Sequence, residues 1–547
     1  MNVLERIHNY ARIIPEKTAV WTGKEALTYG ELDQMSDRLA RELEMVCGDN
    51  REPVAVYGHK HPYMLVSFLA CVKSGRAYCP IDCSVPEGRV GEILASLKSP
   101  VVLAPDGNFT GAVKDEDTEE AEAPARQKDS VWISEQAGAG QGKKQIWGRE
   151  RLEEIFRSGG EQDVREVHPR PVSGSDLFYI IFTSGSSGTP KGVEITADCL
   201  NHFLEWSVSL GASSKGGAVF LNQAPFSFDL SVMDLYTCLA CGGTLWCLEK
   251  GVQEDYGSLM DSLQASGTQV WVSTPSFAEM CLADPRFDQR LLPGLETFLF
   301  CGETLPNRTA LRLMDRFPRA AVVNTYGPTE STVAVTEVSV TREMAEEKTP
   351  LPVGRPKPGT WLEIQDPEGN ILPEGEQGEI VILGNTVSTG YLSRPDLTDK
   401  AFFSRETEKG EVRGYHTRDA GFLRDGMLYC TGRMDLQVKL HGYRIELGDI
   451  ENNLQKLPGI SHAVVIPNRR NGRVSSLTAY VSRENSADRA VSERQREETI
   501  LEAGRMRRQL EELLPAYMIP KKIIFLDHMP LTSNGKADRK ALEGEKL

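Results

Sequence analysis

The sequence predicts an α/β protein: a large N-terminal part of α/β subdomains and a small α+β domain at the C-terminal end. Three observations predict it. Short apolar strand-like runs alternate with segments of helical spacing, the pattern of a parallel sheet covered by helices. The 547 residues are enough for several domains. A content of 40% hydrophobic and 26% charged residues is that of a folded globular chain, not a collagen-like, disordered or disulfide-stapled one.

Taken in order, Leu4–Arg12 has helical spacing and Val54–Tyr57 is an apolar strand. Pro62–Ser74 reads as a helix, and Ala77–Ile81 and Val101–Ala104 as further strands. Residues 106–145 then turn acidic and afterwards Gly/Ala/Gln-rich, with few large apolar residues. Such a stretch has little surface to bury, so it is expected to be a flexible surface insertion. The strand Leu177–Phe182 restores order, and strands and helices alternate to about residue 430. Asp449–Leu457 reads as a helix, Ala463–Ile466 and Ser476–Val481 as strands, Glu493–Leu514 as a long charged helix and Lys522–Leu526 as a last strand. This block of about 110 residues has the length of a separate domain. The expected organisation is therefore a large core to about residue 430 and a small final domain.

The net charge of −16 argues against a nucleic-acid partner, which asks for a basic surface. The longest strongly apolar run, Tyr63–Val72, is half of a membrane span, so no membrane insertion is expected. The N-terminus has no apolar signal core. The eleven scattered cysteines read as reduced thiols, and the expected location is cytoplasmic. Cys238-Leu-Ala-Cys241 lacks a second pair or a nearby His and reads as helix packing. His59-Lys-His61 reads as a solvated loop.

Five segments carry chemistry. Leu177–Phe182 runs into Thr183-Ser184-Gly185-Ser186-Ser187-Gly188-Thr189-Pro-Lys191-Gly192. Small hydroxylated residues and glycines let backbone N–H groups wrap phosphate oxygens, and Lys191 adds a point charge. Downstream stands Asn324-Thr-Tyr326-Gly327-Pro-Thr329-Glu330, in which Tyr326 can stack on a base, Thr329 can bond a phosphate and Glu330 can hold Mg²⁺. Taken alone, its Tyr-Gly-Pro-Thr is a turn signature. Then come Tyr415-His-Thr-Arg-Asp419, the stretch Gly432–Glu446, and Pro530-Leu-Thr-Ser-Asn-Gly-Lys536.

In this order, and with Leu27–Leu32 and Lys73–Asp82, these segments resemble the adenylate-forming superfamily of acyl- and aminoacyl-activating enzymes along nearly the whole chain. The resemblance implies a small C-terminal domain that rotates between two half-reactions. It also implies ATP and Mg²⁺ as cofactors. Phe226-Ser-Phe-Asp229 matches the position where amino-acid-activating members carry an Asp for the substrate ammonium, while the same residue reads locally as a helix N-cap. The stretches Phe226–Tyr236, Gly242–Trp246, Thr297–Leu305 and Val438–Arg444 look like the members that load D-alanine onto a phosphopantetheinylated acyl carrier protein for teichoic acid D-alanylation.

That likeness implies roles. Residues 183–189 and Lys191 clamp phosphates, with Glu303, Asn324, Tyr326, Gly327 and Thr329 around the nucleotide. Glu330 ligates Mg²⁺, Asp419 accepts from the ribose hydroxyls, and Arg433 adds a ribose or phosphate contact. Lys536 bridges carboxylate, α-phosphate and ribose oxygens, and otherwise reads as an exposed lysine. Asp229 and Cys301 line the D-alanine pocket, although Cys301 reads locally as a buried strand-end thiol. Asp435 is the hinge, which divides a core of residues 1–434 from a small domain of residues 435–547, and Gly442 leaves room for the carrier arm. Rival readings are an adenylation enzyme for another small amino acid, an acyl-CoA synthetase, which Asp229 speaks against, and an inactive binding homologue. The chain departs from the pattern at Arg418, where members commonly have Gly, so that the residue either reshapes the loop or contacts a phosphate. The long acidic stretch 106–145 also leaves carrier docking open to change.

Overall fold

A computed structural model describes residues 1–106, 109, 130–133, 144–158, 170–185, 189–347, 349–407, 410–470, 473–483, 493–526, 529–530 and 539–544. The chain divides into two compact units: residues 1–83, 94–181 and 192–432, and residues 84–93, 182–191 and 433–547. The sequence places one cut at 434/435. The division instead gives two short internal segments to the second unit.

The first unit is built on three sheets. In the nine-stranded sheet, Ala321–Tyr326, Thr297–Phe300, Val270–Ser273, Val219–Asn222, Thr244–Cys247 and Thr18–Trp21 run parallel as neighbours. Antiparallel strands close both edges. The eight-stranded sheet has Leu177–Thr183, Tyr78–Ile81, Val54–Tyr57, Val101–Ala104 and Lys144–Gly148 as parallel neighbours. A third sheet is antiparallel, around Gly378–Gly384 and Gly410–Arg424. The central parallel strands are buried on both faces, which is why they read as continuous apolar runs. Helices Val3–Ile13 and Tyr29–Cys47 begin with capping boxes, Asn2 with Glu5 and Thr28 with Glu31. Phe68 stacks on Tyr78 at 4.2 Å and meets Phe226 edge-on at 5.4 Å, which joins the core to the segment bearing Asp229.

Two expectations are corrected here. Most of 106–145 lies outside the described residues, but Ser130–Ile133 is a strand paired antiparallel to Lys144–Gly148. The triplet His59-Lys60-His61 is not solvated. It follows the central strand Val54–Tyr57 and is packed under cover, with Lys60 buried, His59 Nδ1 2.6 Å from Asp82 and His61 Nε2 2.7 Å from Glu25.

The second unit contains the antiparallel pair Gln437–Leu440 and Tyr443–Glu446. His441 (φ 53°) and Gly442 (φ 85°) form its two-residue turn, the geometry a tight hairpin with right-handed strand twist requires. Ile460–Arg470 pairs antiparallel with Arg473–Arg483, which pairs parallel with Lys522–Leu526. These first two strands are longer than the sequence predicts, because their polar ends carry no apolar alternation yet still pair. Helices Leu447–Gln455 and Glu493–Glu511 complete the unit. Arg89 reaches Asp449 in a buried ion pair at 2.9 Å. All eleven cysteines are free, and Cys238 and Cys241 sit in and just after a buried helix. No helix among the described residues is long and apolar enough to cross a membrane.

Candidate functional site

The site in the first unit is organised by the five residues Tyr326–Glu330, which begin at the end of the strand Ala321–Tyr326. Tyr326 donates its hydroxyl hydrogen to Asp419 at 2.6 Å. Burial and the Asp419 carboxylate push the Tyr326 phenol well above its usual 10.0, so it stays protonated and remains a donor. Thr329 Oγ1 donates to Asp229 Oδ2 at 2.7 Å. Glu330 is fully buried and accepts from the Tyr391 hydroxyl at 2.8 Å, while its backbone carbonyl accepts from Ser388 N–H at 2.9 Å. One short segment thus makes hydroxyl–carboxylate hydrogen bonds with three distant side chains: it donates to Asp419 and Asp229, and its own Glu330 accepts from Tyr391.

Local geometry explains the sequence of that segment. A Cβ on Gly327 would stand 2.6 Å from Ala334 Cα and 2.8 Å from the Val333 carbonyl, so only glycine fits. Thr332 and Val333 follow in the left-handed region at φ 61° and 69°. For a β-branched residue that is a strained conformation, held by the Val335 N–H bond to the Tyr326 carbonyl at 2.7 Å.

Asp229 occupies the N-cap position of the helix Leu230–Ala240, but its side chain makes no capping bond. It is turned to Thr329 instead, which sets aside the capping role that the sequence leaves open. Cys301 directly follows the strand Thr297–Phe300, is buried, and points its thiol at the Val333 carbonyl, 3.6 Å away. Glu303 accepts from the Ser276 N–H at 3.1 Å, where the helix Pro275–Leu282 begins. A carboxylate there is favoured by the exposed donors of the first turn. Asn324 is buried, and its amide donates to the Pro352 carbonyl at 2.8 Å.

In the second unit, Thr183 Oγ1 lies 3.5 Å from the Lys191 carbonyl. Ser184 Oγ donates to the Arg444 carbonyl at 2.9 Å and accepts from the Glu446 N–H at 3.2 Å. Burial pushes the Glu446 carboxyl up, against the opposing charges of Arg444 and Lys191. Gly185 and Thr189 border Ser186, Ser187 and Gly188, which lie outside the described residues, as does Lys536. Arg433 forks onto Asp435 at 2.9 and 2.5 Å. Burial raises the Asp435 carboxyl, but the Arg433 hydrogen bond and charge more than offset this and hold it below its usual range.

Arg418 has φ 59°, a left-handed position that suits glycine. Its N–H donates to Glu379 at 2.9 Å and its guanidinium lies 3.8 Å from the same carboxylate. Of the two readings the sequence leaves, the local geometry is that of a loop residue tied to Glu379. Sequence reasoning missed Tyr391, which no motif marks. It also missed Lys60, whose ammonium donates to Asn222 and to the Ala224 carbonyl and lies 4.4 Å over the Phe226 ring. A lysine between two histidines on the flank of an apolar helix was the only available signal.

Comparison with known proteins follows the same lines. The family model for AMP-binding enzymes matches residues 8–392, and that for the AMP-binding enzyme C-terminal domain matches residues 449–536. The chain is 42% identical over 546 residues to a D-alanine–D-alanyl carrier protein ligase of Bacillus mycoides, covering 100% of this chain and 99% of that one. It is equally similar to the ligase of the same name from Bacillus anthracis. Among solved structures, PA1221, a nonribosomal peptide synthetase protein containing adenylation and PCP domains, superposes with a TM-score of 0.75 at 24% identity, covering 100% of this chain and 98% of that one. The Vibrio cholerae adenylation domain AlmE, in complex with glycyl-adenosine-5′-phosphate, gives 0.74 at 21% identity over 99% and 96%. At these identities the two structures show the shared fold.

Proposed function

The chain belongs to the AMP-binding enzyme family and, within it, to the D-alanine–D-alanyl carrier protein ligases, and from that premise we propose that it activates D-alanine with ATP and loads it onto a carrier protein. A carboxylate oxygen of D-alanine forms a bond to the α-phosphorus of ATP. The bond from that phosphorus to the bridging oxygen breaks, and pyrophosphate leaves. The phosphopantetheine thiol of the carrier then attacks the D-alanyl carbonyl, its proton is lost, and AMP leaves. The product supplies D-alanylation of teichoic acid.

The observation that supports this best is the segment Tyr326–Glu330, with its two carboxylate partners Asp419 and Asp229 and its own Glu330 bonded to Tyr391. Asp229 complements the substrate ammonium, held in place by Thr329. Asp419 accepts from the ribose hydroxyls, oriented by Tyr326, whose ring is also assigned to adenine. Glu330 is a buried hard-oxygen donor whose hydrogen-bond donor is a neutral phenol, which fits Mg²⁺. When bound, Mg²⁺ supplies neutralisation of the polyphosphate charge. The 183–191 segment is assigned to the phosphates, Glu303, Asn324 and Gly327 to the nucleotide surroundings, and Lys536 to the charge that develops as the carboxylate approaches. We assign the domain boundary to 434/435, the hinge to Asp435 and the passage of the carrier arm to Gly442. Rotation at that hinge separates two steps with conflicting requirements.

ATP–pyrophosphate exchange across D- and L-amino acids, glycine and short fatty acids tests the reading. Strong exchange with D-alanine and little with L-alanine is expected. Exchange with a different amino acid would overturn the substrate, and none with any acid would overturn the activity.

A further inference from the structure

We propose that His59, Asp82 and Cys83, with Asp106 beside them, form a binding site for Zn²⁺, made of residues that none of the assignments to ATP, D-alanine or Mg²⁺ uses.

The fold brings these side chains together within the first unit. Val54–Tyr57 lies between Tyr78–Ile81 and Val101–Ala104, and all three strands run parallel, so their carboxyl ends open on one side of the sheet. His59 follows the central strand, Asp82 and Cys83 follow one neighbour, and Asp106 follows the other. The chain passes from the central strand to the first neighbour and then back across it to the second. Such a reversal leaves a crevice outside the carboxyl ends, the place where open α/β sheets take their ligands.

One ligand atom from each of His59, Asp82 and Cys83 lies within 4.8 Å of the other two, the one such grouping among the described residues. Tetrahedral ligands at zinc distances stand about 3.3–3.8 Å apart, so closure asks for a shift of about an ångström. Cys83, the exposed one of the eleven cysteines, has the freedom to make it. Two buried atoms here lack a partner. His59 Nε2 and Asp106 Oδ1 have no hydrogen bond among the described residues, although Asp106 accepts from the His59 N–H through its other oxygen. Buried polar atoms are nearly always satisfied, and two orphans in one place call for a ligand. Both nitrogens of His59 can serve: Nε2 outright, and Nδ1 once a metal replaces the proton shared with Asp82 at 2.6 Å. Negative charge reaches the sulfur as well. Burial, and then the carboxylates of Asp82 and Asp106, push the Cys83 thiol up to about 11, against the charge of Lys250.

The donor set selects the metal. A thiolate prefers Zn²⁺ to Mg²⁺, and imidazole and carboxylate both suit Zn²⁺. Three protein ligands leave a fourth position for water. On binding, the thiol proton passes to solvent and the sulfur bonds the metal, which ties the ends of two neighbouring strands.

The test titrates the full chain, stripped with chelator, with Co²⁺ as a coloured substitute for Zn²⁺. Wild type should develop a sulfur-to-cobalt absorption that saturates at one equivalent. Zn²⁺ should abolish it, and excess Mg²⁺ with ATP should not. Cys83→Ser should lose the absorption, and His59→Gln should bind Co²⁺ about tenfold to a hundredfold more weakly. Cys241→Ser, at a half-buried cysteine of the same unit, should change neither. Zn²⁺ should raise the thermal midpoint of wild type and leave that of Cys83→Ser in place, while the two midpoints without metal should agree because the thiol is exposed. Absence of the absorption in wild type, or its persistence in Cys83→Ser, overturns the proposal. Equal loss in Cys241→Ser also overturns it, since binding would then belong to thiols in general, as does unchanged affinity in His59→Gln, which would leave a lone thiol.

Discussion

Thr329 and Asp229 stand 100 residues apart in the chain and share a hydrogen bond of 2.7 Å. The carboxylate that would receive the substrate ammonium is therefore aimed by a hydroxyl on the segment that also bears Glu330. A hydrogen bond to a charged group contributes about 1.5–3 kcal/mol. Thr329→Val keeps the shape and removes the donor. The expected result is a KM for D-alanine raised about tenfold to a hundredfold, with the KM for ATP unchanged. Pyrophosphate exchange at varied D-alanine and varied ATP separates the two. A rise in the ATP KM alone would return Thr329 to the phosphate role that its motif suggests.

Tyr326 donates to Asp419 at 2.6 Å, and the phenol is held well above its usual value by burial and by that carboxylate. Tyr326→Phe should weaken ATP about tenfold and leave the KM for D-alanine in place. The same group gives an alkaline prediction. A raised pKa in the folded state means that the neutral phenol's contribution to stability is complete below 10.0 and is lost as the pH climbs toward the folded value. The thermal midpoint of wild type should therefore fall more steeply above pH 10 than that of Tyr326→Phe. Parallel profiles would show that Tyr326 ionises as freely in the fold as out of it.

Strands such as Val54–Tyr57 and Val101–Ala104 were legible at their ends because central parallel strands are apolar on both faces and stop where polarity returns. The order of motifs made the fold legible too. What the sequence does not carry is pairing across long separations. Nothing near Asp229 distinguishes a helix cap from a side chain turned to Thr329, since both use the same residue in the same place. Nothing near Tyr391 points to Glu330. Polar residues mislead most where they are buried, as at Lys60, because local composition reports hydrophilicity and not cover.

Lys60 belongs to a second buried polar group. It donates to Asn222, and Asn222 donates to Asp234 at 2.7 Å, so a buried cation and a buried acid are joined through one amide. Burial lowers the ammonium's pKa and raises that of the carboxyl. Breaking one side of such an arrangement costs about 3–5 kcal/mol because the other side remains buried. Lys60→Met should lose that much in urea unfolding, and Lys60→Met with Asp234→Leu should recover most of it. A double variant as unstable as the sum of the singles would show that the two charges do not sense each other.

Lys536 follows Asn534-Gly535 in the last motif of the chain. If it delivers positive charge to the carboxylate and α-phosphate, it is needed in the first half-reaction only. Lys536→Ala should lose exchange by about a thousandfold or more, in the range for removal of one group that stabilises developing charge. Loading of the carrier from preformed D-alanyl-AMP should proceed at the wild-type rate. An equal loss in both assays would end the division of labour between the two steps.

Cys301 sets the size of the pocket in this reading. Its thiol is buried and directed at the carbonyl of Val333, itself in a left-handed conformation at φ 69°. Discrimination by one methylene in an apolar pocket is worth about 1–3 kcal/mol, so D-alanine should be preferred over glycine modestly. D-leucine should be rejected more strongly, because it must overfill a site backed by close packing. Cys301→Ala removes the sulfur and widens the pocket beside Val333. It should admit L-alanine or D-serine in pyrophosphate exchange while keeping activity with D-alanine. An unchanged selectivity profile in a folded Cys301→Ala variant would make Cys301 a packing residue, and the source of enantiomer choice would then lie elsewhere around Asp229.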